Sequence, residues 1–167
     1  MASSSSSSAL VTSPRRKNDL TVFVSFSGSN THCNFTGNLY GALLRKRIFP
    51  LNDDTELQKG ESIASRLSHA IEGSQVSIVV FSKNYPSSPW CLRELEYILH
   101  CSVLYGKHVL PVFYDVDPSE VRKQSGGYGK SLAKHGKRYQ HDSNKVQRWR
   151  ETLELVGNIV GWDLCHK

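Results

Sequence analysis

An α/β fold built on a parallel sheet is what this sequence predicts, and three observations carry the prediction. Short runs rich in Val, Ile and Phe alternate along the chain with segments whose apolar residues recur at helical spacing. Two of the runs, QVSIVVFS (75–82) and HVLPVFYDV (108–116), are almost continuously apolar, as strands buried on both faces are. The segments between runs are long enough to return over a sheet as helices, so neighbouring strands run parallel and the crossovers are expected to be right-handed.

The elements follow in order. TVFVSF (21–26) is a β-branched and aromatic run. NFTGNLYGALLRK (34–46) places Phe35, Leu39, Ala42 and Leu43 at helical spacing. RIFPL (47–51) is a short second strand, with Pro50 marking an edge or an end. GESIASRLSHAIEGS (60–74) sets Ile63, Leu67, Ala70 and Ile71 on one stripe. After the third strand, PSSPWCLRELEYIL (86–99) opens a helix: Ser88 is a candidate N-cap and Pro89 a candidate first helical residue. The fourth strand is followed by PSEVRKQSGGYGKSLAKHGKRY (118–139), one or two short helices broken near Gly126-Gly127. NKVQRWRETLELVGNIVGW (144–162) is a last helix, with Val146, Trp149, Leu153, Val156 and Val160 at helical intervals. This gives a central sheet of four to five strands.

Length and composition bound the rest. The 167 residues suit one domain with a substantial core, and 38% hydrophobic residues is ordinary for a globular protein. No apolar run is long enough to cross a bilayer, so no membrane partner is expected. Residues 1–18 are Ser-rich, basic and without a packing pattern, and read as a disordered tail that faintly resembles a transit peptide. The domain is expected over 19–162, with a C-terminal tail at 163–167. Cys33, Cys91, Cys101 and Cys165 form no CxxC pair and no zinc-type cluster with histidine, and read as reduced thiols of a cytosolic-type compartment. Cys91, among apolar residues, reads as core.

The net charge of +6 is uneven: Arg122, Lys123, Lys130, Lys134, Lys137, Arg138, Lys145, Arg148 and Arg150 crowd the 119–150 region against Glu120 and Asp142. A solvated helical face explains this most simply; a surface for nucleic acid or another polyanion is the sharper alternative.

In parallel sheets ligands bind beyond the carboxyl ends of the strands, where the strand order reverses. The segments there are SFSGSN, NDDTELQKGE, SKNYPSSPW and YDVDPSE. SFSGSN lacks the G-x-G-x-x-G dinucleotide pattern, although Gly28 permits close approach of a ligand. Asp117-Pro118 starts a turn that Ser119 can cap, and Asp115 with Asp117 supplies too few ligands for a metal. Trp90 and Glu94 are four residues apart and share a helix face, while Leu92, Leu95 and Leu99 form a separate stripe suited to the sheet. A partly buried carboxyl beside an indole would have a raised pKa and would suit a sugar carrying a flat cationic leaving group. On spacing alone, a surface Glu paired with Lys or Arg is the commoner outcome.

The order of motifs is more specific than any one of them. VFVSFSG, NFTGNLYGALL, IFPLNDDTELQKGESI, AIEGSQVSIVVFSKNYPSSPWCLRELEYIL, VLPVFYDVDPSEVRKQSG and VQRWRETL together resemble the plant Toll/interleukin-1 receptor (TIR) domain, from about Asp19 to about Trp162. The chain resembles either a TIR-only protein or the amino-terminal part of a TIR-type disease-resistance receptor. The resemblance implies a flavodoxin-like three-layer fold and a role in plant immunity; the expected location is the cytoplasm, with the nucleus as an alternative. It also implies hydrolysis of NAD+, a substrate rather than a cofactor, on association with other TIR domains. The catalytic carboxylate would be Glu94 and the nicotinamide-stacking aromatic Trp90. The nucleotide-contacting segments would be Val24, Ser25, Phe26, Ser27, Gly28 and Ser29, and Leu57, Gln58, Lys59, Gly60, Glu61 and Ser62. No metal or cofactor is needed by this scheme.

Departures from the family pattern fall in these segments. Where plant members usually read SFRGEDTR, this chain reads SFSGSNTH, so Ser27 stands for an arginine, Ser29 for a glutamate, Asn30 for an aspartate and His32 for a second arginine. Gln58 stands for another common arginine. Gly37-Asn38 replaces the Ser-His of the first helix, where two TIR domains meet in other members. A non-catalytic or weakly catalytic TIR–TIR interaction module that regulates other TIR immune receptors is the alternative these changes favour.

Overall fold

Apolar runs and amphipathic segments resolve into one five-stranded sheet with helices on both sides. The computed structural model describes residues 20–28, 35–51 and 63–164. The strands are β1 (Leu20–Ser25), β2 (Ile48–Leu51), β3 (Val76–Phe81), β4 (His108–Tyr114) and β5 (Trp162–Leu164), in the order β2-β1-β3-β4-β5. Every neighbouring pair is parallel. This is the flavodoxin-like order, and its reversal point lies between β1 and β3. Pro50 falls in β2 at one edge of the sheet, where its missing N–H costs the ladder least.

Two apolar clusters sandwich the sheet, because successive strand residues point to opposite faces. Val22, Val24, Ile78, Val80 and Val112 form one, covered by Phe35, Leu39 and Leu43 of α1 (Phe35–Arg45). Phe23, Val79, Phe81 and Phe113 face the other. There they meet Leu67 and Ile71 of α2 (Ile63–Glu72), and Leu92, Leu95 and Ile98 of α3 (Pro89–Tyr105). Leu99 packs at the margin of this core and Cys91 is buried in it. Helices α4 (Pro118–Lys123), α5 (Gly126–Arg138) and α6 (Ser143–Gly157) complete that side with Val121, Tyr128, Leu132, Trp149 and Leu153.

Three sequence expectations change. The last helix ends at Gly157, not near 162, and Val160, expected on its buried stripe, is 92% exposed. Trp162–Leu164 forms β5, so the sheet reaches two residues into the expected C-terminal tail. Gly161 permits this approach: a Cβ there would lie 2.0 Å from the Pro111 carbonyl oxygen. The cap of α4 is Asp117 rather than Ser119: its Oδ1 accepts from the Ser119 N–H at 2.8 Å and from the Ser119 hydroxyl at 2.6 Å.

The basic region folds as amphipathic helix. Tyr128, Leu132 and His135 form the buried stripe of α5, while Lys130, Lys134, Lys137 and Arg138 are exposed. No helix among the described residues is long and apolar enough to cross a membrane.

Candidate active site

Glu94 sits in the second turn of α3, and the start of that helix is fixed from several directions. Ser88 caps it, accepting the Cys91 N–H at 3.2 Å, and Pro89 occupies the first helical position. The preceding segment is anchored on α5: the Tyr128 hydroxyl donates to the Ser82 carbonyl at 2.7 Å, and His135 Nε2–H donates to the Pro86 carbonyl at 2.8 Å. At its far end α3 stops at Gly106, whose φ of 66° closes the helix with a left-handed turn.

The carboxyl side chain is 2% exposed. Taking a carboxylate this far out of water is costly even where the fold supplies partners for it, and buried carboxyls near strand ends are candidates for function on that ground. Glu94 is therefore far deeper than the surface position that spacing alone favours. Its charge is one of those that hold the Tyr85 phenol well above its ordinary range, after burial itself and Cys91. Trp90, one turn earlier on the same face, is half-buried against the core.

The segment after β1 lies beside this turn. Cys91 Sγ–H points to the Phe26 carbonyl at 3.7 Å. Phe26 itself is half-buried, edge-on to Tyr40 at 6.3 Å. Val24 and Ser25 prove to be strand residues of β1, with Val24 in the core and the Ser25 hydroxyl bonded to Tyr85. Of the segment expected over Val24–Ser29, Phe26, Ser27 and Gly28 are the described residues that lie beyond the strand end. Ser27 is 9% exposed, and Gly28 is exposed. Ser29, and the second expected segment of Leu57, Gln58, Lys59, Gly60, Glu61 and Ser62, lie outside the described residues.

Asp115 adopts a left-handed φ of 54° just beyond β4 and pairs with Lys83 at 3.2 Å across the strand ends. Among the described residues no group of three or more His, Cys, Asp or Glu is placed to hold a metal ion. A hollow of about 400 Å³ lined by Glu72, Tyr105 and Lys107 opens at the opposite, amino end of the sheet. It shares no residue with the Trp90–Glu94 face.

Sequence reading missed Tyr85. Its signal was a lone aromatic in a Pro- and Ser-rich connection, which looked like loop.

A parallel sheet of this order, with a buried carboxylate one helical turn from an indole near its reversal point, defines a flavodoxin-like domain. The TIR domain family profile matches residues 20–167. The chain is 45% identical over 159 residues to the disease resistance protein RPV1 of Vitis rotundifolia, covering 95% of this chain and 11% of that protein. It is 45% identical to the TMV resistance protein N of Nicotiana glutinosa, covering 96% of this chain and 13% of that protein. Among solved structures, the TIR domains of the activated Roq1 resistosome, which directly recognizes the pathogen effector XopQ, match with a TM-score of 0.81 and 50% identity over 87% of each chain. The chain belongs to the TIR domain family. It spans little more than a tenth of the length of these curated relatives.

Proposed function

We propose that this domain hydrolyses NAD+ at the nicotinamide–ribose bond and does so in plant immune signalling, on association with other TIR domains. The observation that supports this best is the Glu94 carboxyl, 2% exposed and one helical turn from Trp90 at the carboxyl end of the sheet.

Nicotinamide leaves its ribose as a neutral molecule, because the bond it breaks carries a pyridinium nitrogen. The bonding pair goes to that nitrogen, and positive charge builds on the ribose carbon and ring oxygen. A carboxylate fixed near that carbon stabilises the oxocarbenium-like state, as in glycosidases, and no general acid is needed at the leaving group. Water then adds to the carbon and releases a proton, giving ADP-ribose and nicotinamide. Trp90 offers a flat apolar surface for the departing ring. Phe26, Ser27 and Gly28 lie where the nucleotide would enter.

The test is NAD+ consumption by the purified domain over a range of protein concentrations, against Glu94→Ala. The expected result is cleavage by wild type and a loss of at least about a hundredfold in the variant. Equal inertness of both supports the second reading, a TIR–TIR interaction module with little catalysis. The replacement of the usual arginine by Ser27, a short side chain only 9% exposed, favours that reading.

A further inference from the structure

The two halves of the candidate site come from opposite sides of the sheet's reversal point, and one hydroxyl joins them. Tyr85 lies in the 3-10 turn Tyr85–Ser87 between β3 and α3 and is 0% exposed. Its ring stands edge-on to Phe81, with centroids 5.2 Å apart. Its oxygen is 2.8 Å from Ser25 Oγ and 3.2 Å from the Cys91 carbonyl oxygen. The carbonyl can only accept and a phenol has one proton, so Tyr85 donates to Cys91 and the Ser25 hydroxyl donates to Tyr85.

Ser25 is the last residue of β1, directly before Phe26, Ser27 and Gly28. Cys91 follows Trp90 and precedes Glu94 by three residues, and its thiol adds the contact to the Phe26 carbonyl. Burial, followed by the charges of Cys91 and Glu94, keeps the phenol protonated well above its ordinary range, so the donor is present at every assay pH.

We propose that Tyr85 is a positioning residue for Glu94: its hydroxyl clasps the end of β1 to the first turn of α3 and so sets the carboxylate against the segment where the nucleotide enters. The assignment rests on reading Glu94 as the reacting group. It deepens that reading, because small displacements of a reacting group are costly in rate while substrate contacts persist.

The test compares Tyr85→Phe, Ser25→Ala and the double variant with Ser74→Ala. Phenylalanine keeps the buried ring and removes only the hydroxyl. Ser74 is the control: it is 1% exposed and donates to the Ala70 carbonyl at 2.8 Å, at the amino end of the sheet. For Tyr85→Phe and Ser25→Ala, kcat for NAD+ should fall about tenfold with KM changed less than about twofold, and the double variant should fall no further. Ser74→Ala should lose comparable thermal stability and keep kcat. Full kcat in Tyr85→Phe, or rates that simply follow thermal midpoints through all four variants, overturns the assignment. A wild type that cleaves no NAD+ defeats the functional reading by itself. The clasp is then decided by amide NMR. Signals of residues 26–28 and 90–94 that shift together in Tyr85→Phe and Ser25→Ala support it, and shifts confined to the substituted residue's neighbours in sequence overturn it.

Discussion

At the scale of single residues, the decisive fact is the depth of Glu94. Its position on a helix was legible in the sequence: Ser88, Pro89 and the Leu92–Leu95 stripe fix the start and the register of α3. Its burial was not legible, because helix spacing does not say what covers a face. Tyr85 bonds the start of the helix, and Tyr128 and His135 of α5 hold the approach to it. Trp-x-x-x-Glu spacing carries none of that information. Ser27 is the residue most open to improvement. A serine cannot make the charge-assisted bonds that an arginine makes with a pyrophosphate or ribose. Ser27→Arg should lower KM for NAD+ about tenfold, roughly 1.4 kcal/mol, provided the long side chain leads outward from this nearly buried position. Steady-state kinetics decides this, and an unchanged KM would show that the segment does not hold the substrate.

At the scale of elements, helical periods were read well and chain ends poorly. The stripe Val146, Trp149, Leu153, Val156 is buried as its spacing requires, but Val160 continues the spacing on paper and not in space. Gly157-Asn158 stops the helix, and the alternation Val160, Trp162, Leu164 is too short to announce a strand without β4 beside it. In α1, Gly37 faces solvent and a Cβ there would meet nothing within 4 Å. Gly37→Ala should therefore stabilise the domain by about 0.5–1 kcal/mol, measured by denaturant unfolding, by limiting the freedom of the unfolded chain. A destabilisation would mean that α1 does not form as described. The end of α2 is joined to the middle of α3 by Tyr97, whose hydroxyl donates to Glu72. That bond first, and burial second, push the Tyr97 phenol from 10.0 up to about 12. The neutral phenol is thus favoured in the folded state, so its contribution to stability is complete below pH 10 and is lost as pH rises towards 12. Unfolding free energies across this window should fall less steeply for Tyr97→Phe, and identical slopes would contradict the bond.

At the scale of the whole molecule, the β1/β3 reversal point brings the end of β1 and the start of α3 together. Gly37 and Asn38, which replace the usual Ser-His, are both exposed on α1, so neither position is already committed to the core. If activity requires association with other TIR domains, initial NAD+ cleavage rates should rise faster than linearly with protein concentration. A strictly linear dependence would mean that one domain is complete by itself. The order of six motifs made the family legible from the sequence alone, whereas the wiring behind the site, through Tyr85 and Ser25, required the fold. The central claim is that the charge of Glu94 drives the reaction, and Glu94→Gln tests it most directly. Glutamine nearly matches glutamate in volume and so fills the buried position while removing the negative charge. Nicotinamide release measured side by side should fall by at least about a hundredfold in Glu94→Gln while its far-ultraviolet circular dichroism matches wild type; release at the wild-type rate would contradict the account.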